Sequence, residues 1–493
     1  MKSDFRTGEG IALCLILAVY AIAVIGVLDH FPTHPDEPSY TDAAASSYLG
    51  KGFTSGAWYA QGADEFWAGN VPLHEVALSF WYRLFGFTLE STRLVNLFYV
   101  CISMVFFWIG LVQSKWFPSS RWRIGLVIAC LSTFSIGLMP VWGRPDGITL
   151  MLLCGAFCVW TTTAPDSIRL PCLGTMALLA PWAGLQLAVV TACFGFFLLV
   201  FDFKHQWKVV LALAAGTILG SALLVFLYAY ENALAGFIAS ILPHASASRS
   251  PGLNPWSNRL GALKDPSFLF ATLAMGSCTI VTLLDWFREK NIASIRLSSL
   301  LLAFGLGTPA VLVGLSKMPA YYSFFSVIPT FTVIVYAVAN GRIFPRWTGL
   351  ALVLIIAMAC VFGAPWSFAV TWNHRADQQQ EKMQAFVAGI VKPDDIVLYE
   401  RPAYYASKRG SKSCYLIDWY YPRMTSAEKD KLTLLLMDRE TFEATVPTLG
   451  GKWREVSGPA QVPNRNTKAL SDSNWYRKNP TIELRAYRKA TAQ

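Results

Sequence analysis

Apolar runs long enough to cross a bilayer recur in this chain up to about residue 364, and they limit its possible folds more than any other feature. A helix needs about 20 apolar residues to span the hydrocarbon core. We read spans at 10–29, 92–113, 122–140, 147–163, 170–182, 184–201, 208–230, 266–286, 297–315, 319–339 and 347–364. The residues are 54% hydrophobic and 15% charged, and the mean hydropathy is +0.40. The chain therefore reads as an α-helical polytopic membrane protein with about eleven transmembrane helices. Its first run, Ile11 to Leu28 behind Lys2 and Arg6, is long and lacks a small-x-small cleavage site, so we read a retained helix rather than a leader.

Charge orients the spans. The stretch 170–201 could be one tilted helix or two short ones broken at "PWAG", 181–184. With two, Lys115, Arg121, Arg123, Arg169, Lys204, Lys208, Arg288, Lys290, Arg296, Arg342 and Arg346 share one side, and the short loops opposite hold only Arg144 and Lys317. Positive loops stay in the cytoplasm, which places the N-terminus inside and the C-terminus outside an inner (plasma) membrane. The net charge of +10 has the same origin and does not imply a nucleic-acid partner. Of the ten cysteines, Cys414 alone lies in the polar tail, so no disulfide framework is expected. Cys154 and Cys158 share an apolar helix, where core packing accounts for them.

Two regions lie outside the spans. The first loop, 30–91, is polar and rich in aromatics, and its returning stretch "NVPLHEVALSFWYRLFG" (70–86) suits the headgroup layer. After 364 the composition changes. "DDIVLYE" (394–400), "SCYLIDW" (413–419) and "TIELRAYRK" (481–489) read as strands, and 426–446 as a helix. We expect a transmembrane domain over 1–373 and a small soluble α/β domain over 374–493.

The first loop also carries the chemistry. "FPTHPDEPSY" (31–40) sets Asp36 and Glu37 between two prolines at the mouth of the first helix. A carboxylate before a helix is a common cap. Two adjacent charges exceed what capping requires, and a rigid carboxylate there suits a general base or a metal site.

With "FWYRLFGFTLESTRLVNLFY" following a Pro-Leu pair, this pattern resembles the GT-C superfamily, of the dolichyl-phosphate-mannose-protein mannosyltransferase and lipid A aminoarabinose transferase type. "GRPDGITLML" (143–152) resembles its Arg-x-Asp in the second external loop, and "KMPAYYSFFSVIP" (317–329) its late external stretch. Asn70-Val71-Pro72-Leu73 stands where the family often has His-Pro-Pro-Leu, with His74 one step late.

The resemblance implies a glycosyltransferase that moves a sugar from a polyprenyl-phosphate donor to a glycan or glycolipid at the external face, with inversion. Such a reaction needs a base near the acceptor hydroxyl and positive charge at the leaving phosphate. Asp36 fits the base, with Glu37 as its partner or a metal ligand. Asp146 could orient the acceptor, and Arg144, Lys317 and Arg83 are external cations. Tyr321 and Tyr322 could contact phosphate or sugar. A divalent ion would draw on Glu37, His34 and His74, with His30 and His244 on the same side, although no strict ligand spacing is present. Three other readings are a protein O-mannosyltransferase-like enzyme, a lipid flippase and an assembly protein. A transporter would bury ionisable residues mid-membrane, often in repeated halves, whereas these charges lie at helix ends on one side.

Overall fold

The computed structural model describes residues 7–246, 320–340, 346–373, 375, 380–458 and 484–490, with single helical positions between 269 and 311. The spans expected at 266–286 and 297–315 therefore lie largely outside the described residues, and Lys317 lies wholly outside them. Ten helices run through the first half: α1 (Thr7–Ile25), α2 (Asp42–Tyr48), α3 (Pro72–Phe85), α4 (Leu89–Ser114), α5 (Ser120–Ser132), α6 (Phe134–Gly137), α7 (Asp146–Thr161), α8 (Asp166–Ala183), α9 (Leu185–Tyr230) and α10 (Leu234–Ser246). Helices Phe324–Ala339, Arg346–Val361 and Ala364–Asn373 follow. Among the described residues, five stretches are long and apolar enough to cross a membrane: Gly8–His30, Leu89–Ser114, Leu185–Tyr230, Tyr321–Ala339 and Gly349–Asn373.

The structure breaks some of the expected spans. The stretch 170–201 is two helices, parted at Gly184 where the sequence reads "PWAG". Helix α9 is itself a hairpin: Asp202 leaves helical geometry (φ −150°, ψ 39°), and its carboxylate meets the His205 ring at 2.7 Å. The second arm of α9 packs closely on α8, with Gly216 and Gly220 facing Gly174 and Leu178. Small residues let helix backbones approach where lipid supplies no hydrophobic drive between them. The expected span 122–140 ends early, at Ser132, because Thr133 is extended (φ −73°, ψ 154°) and turns its hydroxyl back to the Cys130 carbonyl at 2.7 Å.

The bundle has two ends. At one, Glu9 of α1 receives Arg123 at 2.7 Å and the Trp108 indole at 2.9 Å. At the other lie the first loop, the 143–146 turn, the start of the 320–339 segment and the C-terminal domain.

That domain is a five-stranded sheet in the order β2-β1-β3-β5-β4. Its strands are β1 (Ile396–Tyr399), β2 (Ser413–Leu416), β3 (Leu434–Met437), β4 (Trp453–Ser457) and β5 (Arg485–Lys489). β1 pairs in parallel with β2 and β3, while β5 runs antiparallel to β3 and β4. The helix expected over 426–446 is interrupted by β3, whose Leu434, Leu435 and Leu436 are fully buried. A four-residue apolar run buried on both faces gives no alternation for a sequence reading to use.

The first loop covers the free edge of this sheet, because the Leu416 amide donates to the Gly56 carbonyl at 3.0 Å. Lys51 reaches the carbonyls of Ser411 (3.1 Å) and Lys412 (2.9 Å). Lys408 is buried against Asp42 at 2.7 Å and the Ser46 hydroxyl at 2.8 Å. One hydrophobic core is continuous from Leu28 and Tyr82 through Phe87 to Tyr404, Tyr405 and Leu416.

Glu400, at the carboxyl end of β1, gives the domain a pH signature. Burial, with Asp438 and Asp418 nearby, pushes it up to about 7. A carboxyl raised on folding adds stability below its unfolded value of about 4.3, and that contribution is lost as pH rises through about 7. We expect the wild-type protein to lose up to about 3 kcal/mol between about pH 5 and pH 8. Glu400→Gln should flatten the dependence of Tm on pH over that window, and an unchanged slope would show that another group sets it.

Candidate functional site

The turn that follows α1 decides the site. Pro35 and Pro38 stiffen the stretch between them, and the His34 amide donates to Glu37 Oε2 at 3.1 Å, closing it into a tight loop. Adjacent side chains in such a turn diverge, and Asp36 and Glu37 face different surroundings.

Glu37 points inward and is fully buried. Its two oxygens receive Arg93 Nε (3.2 Å) and Arg93 Nη2 (3.0 Å), and Tyr405 of the C-terminal domain donates to Oε1 at 2.7 Å. Arg93, in the first turns of α4, spends its remaining donors on the carbonyls of Leu28 (2.5 Å), Phe31 (3.0 Å) and Pro32 (3.2 Å). A guanidinium carries five N–H donors, so this one is fully used. Gly143 presses against the same carboxylate. Its φ is +58°, and a Cβ there would stand 2.5 Å from Glu37 Cγ.

Asp36 points the other way. Its side chain keeps 24% of its surface and pairs with Arg144. Arg144 is itself buried and also donates from Nε to Asp146 Oδ2 at 2.8 Å. Asp146 opens α7, where a carboxylate is favoured by the helix dipole. The guanidinium lies 3.9 Å from the Tyr321 ring centroid, with Tyr40 at 5.6 Å and Tyr322 at 5.9 Å. The Tyr322 hydroxyl accepts from Gln186 at 3.1 Å. The fold thus gathers Asp36, Arg144, Asp146, Tyr321 and Tyr322 from three separate stretches of sequence.

The protonation states follow from these partners. Burial pushes Asp36 up, but the charge and hydrogen bond of Arg144, with the charge of Arg401, outweigh it and hold the carboxyl below the usual range. Burial drives His34 down to about 3, with Asp36 opposing and the arginines reinforcing. His34 Nδ1 accepts from the Asp36 amide at 3.1 Å, as a neutral ring must, so its 4.0 Å approach to the Asp36 carboxylate is no ion pair. The site holds an ionised carboxylate with one open face beside a neutral imidazole.

Other expected residues stand apart. Arg83 lies on the exposed side of α3, 5.4 Å from the Phe80 ring, alongside the exposed Val76, Leu84 and Phe85. That position suits lipid headgroups and is separate from the Asp36 cluster. His74 is fully buried in α3, where burial takes it down to about 3, and neither ring nitrogen has a hydrogen-bond partner among the described residues. His30 closes the turn after α1, and the side chain of His244 lies outside the described residues.

These positions do not form a metal centre together. Glu37 is saturated by Arg93 and Tyr405, His34 Nδ1 is engaged, and no three His, Cys, Asp or Glu converge among the described residues. Sequence reading included Arg93, as part of the Arg-Leu entering the second helix, in the motif that carries the resemblance but gave it no role in the site, and it passed over Tyr405. A lone arginine at the start of an apolar span was a signal that a buried counter-ion must exist. Tyr405 had no local signal.

Breaking a buried ion pair costs about 3–5 kcal/mol because the remaining charge is stranded. Arg93→Met should therefore lower the Tm sharply and yield poorly folded protein in detergent, whereas Arg83→Ala should leave the Tm at the wild-type value. A wild-type Tm for Arg93→Met would release Glu37 from this structural role.

No family model matches this sequence, and no curated protein matches it. Solved structures do match. The crystal structure of ArnT from Cupriavidus metallidurans bound to undecaprenyl phosphate is similar over 97% of this chain and 98% of that one, with a TM-score of 0.61 at 12% identity. An apo oligosaccharyltransferase from Archaeoglobus fulgidus aligns over 87% of this chain and 70% of that one, with a TM-score of 0.49 at 10% identity. The chain thus shares the fold of that ArnT structure, a bundle of apolar helices with a small C-terminal sheet domain, in keeping with the fold class read from the sequence.

Proposed function

We propose that this protein is a membrane glycosyltransferase that moves a sugar from a polyprenyl-phosphate donor to a hydroxyl of a glycan or glycolipid, with inversion, at the membrane face carrying the C-terminal domain. One observation carries the reading: Asp36 is an ionised carboxylate with a single open face, set among buried groups at the end of an apolar bundle. The fold shared with a polyprenyl-phosphate-bound protein supports the donor class.

Asp36 accepts the proton of the acceptor hydroxyl as that oxygen attacks the anomeric carbon. The bond from that carbon to the phosphate oxygen breaks, and polyprenyl phosphate departs. Arg144 holds both carboxylates in place, and Asp146 and Tyr322 border the space for the sugar. An apolar cavity lined by Phe107, Leu152, Phe157, Phe194 and Ile328 offers room for an isoprenoid tail. Leu152 lies six residues into the bundle from Asp146, about 9 Å along α7 at 1.5 Å per residue.

Asp36→Asn should keep the Tm and lower transfer by about 10²–10⁴-fold. Purified protein is assayed with radiolabelled polyprenyl-phosphate sugars and membrane extracts, and near-normal turnover of the variant would remove Asp36 as the base. Because the Asp36 carboxyl sits below its usual range and His34 stays neutral, kcat/KM should be flat from about pH 5 to 8. An acid limb near neutrality would identify a different base. A reporter fused after Gln493 should be active only outside the cytoplasm, and cytoplasmic activity would invert the topology.

A further inference from the structure

The break at "PWAG" brings the start of α9 to the Asp36 cluster. Thr149, one turn into α7 from Asp146, turns its hydroxyl to the Ala183 carbonyl at 3.3 Å. A Cβ on Gly184 would stand 4.0 Å from that hydroxyl oxygen and 3.7 Å from Val71, the residue ahead of α3. Just inside α9, Gln186 Nε2 donates to the Tyr322 hydroxyl at 3.1 Å. Tyr322 packs on Tyr321 with ring centroids 4.8 Å apart. Its own ring centroid is 5.9 Å from the Arg144 guanidinium, which pairs with Asp36 and Asp146. A run of direct contacts thus joins Gln186 to both carboxylates.

The two ends of the Gln186 carboxamide are not equivalent, because the nitrogen only donates and the oxygen only accepts. The oxygen folds back to the helix start, 3.2 Å from where a Gly184 Cβ would lie. The first N–H groups of a helix lack intrahelical partners and give that end a positive field. The oxygen therefore belongs there, and the nitrogen faces Tyr322. So the Tyr322 hydroxyl accepts from Gln186 and cannot give it a proton. Gln186 is the hydrogen-bond partner of that hydroxyl among the described residues, and Tyr322 is 9% exposed. Its proton is left for a group that enters beside it.

We infer that Gln186 is a positioning residue of the Asp36 site, which holds the Tyr322 hydroxyl as an acceptor and so presents the Tyr322 proton to a substrate oxygen. This rests on the reading that the site handles a lipid-linked sugar. The oxygen belongs either to the phosphate or to the sugar, since both accept hydrogen bonds.

Gln186→Glu tests the direction of the bond. It keeps the shape, and a carboxylate is favoured at a helix start, so the fold should hold. Ionised, the new carboxylate only accepts and draws the Tyr322 proton to itself; protonated, it donates again. Burial raises the pKa of a carboxyl, so the defect should grow as pH rises from about 5 to 8. Around it, among the described residues, the titratable groups are Arg144 and Asp146 at the start of α7, Tyr321, Tyr322, and His74 in α3. All are present in wild type, which is the reference at each pH.

Full-length protein in detergent is assayed for transfer from radiolabelled polyprenyl-phosphate sugars. Intrinsic tryptophan fluorescence gives Kd for undecaprenyl phosphate. Gln186→Glu should lose about tenfold or more in kcat/KM near about pH 8 and recover most of it near about pH 5. Tyr322→Phe should lose as much at both, and the double substitution no more than Tyr322→Phe alone. A pH-dependent loss of undecaprenyl phosphate binding in Gln186→Glu identifies the phosphate oxygen; unchanged binding with reduced transfer identifies the sugar's. A purely structural Gln186 would give a lower Tm, a loss independent of pH and additivity with Tyr322→Phe, and would overturn the inference. Wild-type behaviour of Gln186→Glu at both pH values would also overturn it. Should Gln186→Glu fail to fold, Gln186→Ala combined with Tyr322→Phe decides: additive losses overturn the inference and coincident ones sustain it. If wild type binds the probe and moves no sugar, the proposed transfer falls, and pH-dependent binding by Gln186→Glu alone decides for Gln186. If wild type neither binds the probe nor moves sugar, both fall.

Discussion

The buried Glu37–Arg93 pair organises this end of the molecule. Removing two charges from water is expensive, and the cost is offset only when every lone pair and every N–H is met. Here that demand draws four parts of the chain to one point. The turn after α1 supplies carbonyls, α4 supplies the arginine, the 143 turn brings a glycine against the carboxylate, and the C-terminal domain adds a tyrosine hydroxyl. With Glu37 pinned on one side of a proline-bounded turn, Asp36 has no choice of direction. The two adjacent carboxylates thus have opposite roles, one holding the frame and the other facing the space beside it.

A second pattern concerns where positive charge is kept. Arg144 lies between Asp36 and Asp146 with a tyrosine against its face, so its field is spent on keeping Asp36 ionised. Burial would otherwise push that carboxyl towards its neutral form, which could not accept a proton. The surrounding tyrosines add polar hydroxyls without adding charge. The site is therefore preorganised for an ionised acid and lacks a spare buried cation among the described residues.

Much of this was legible in the sequence. The apolar runs marked the helices, and the glycine-bearing "PWAG" marked the break between α8 and α9. The break at Thr133 was hidden, because a threonine in an apolar run is compatible with a continuing helix. β3 was hidden for a related reason, since four consecutive buried apolar residues read equally as helix. Asp36, Arg144, Asp146, Tyr321 and Tyr322 were singled out from motif order, and the fold gathers them. Their mutual geometry was beyond reach: nothing local to "HPDEP" states which carboxylate turns inward. That depends on Arg93, 56 residues on, and on Tyr405, 368 residues on.

The second of those separations has a consequence in time. Ribosomes add about 5–20 residues per second. The 368 residues between Glu37 and Tyr405 therefore take roughly 20–70 seconds to make, counted from when the first loop is synthesised. Throughout that interval the turn bearing Asp36 lacks its last hydrogen-bond partner and the sheet whose edge it covers. A chain halted after the first loop but before residue 405 has the whole first-loop motif and lacks the Tyr405 hydroxyl on Glu37. The turn that carries Asp36 therefore gains its last partner only once the C-terminal domain has been made.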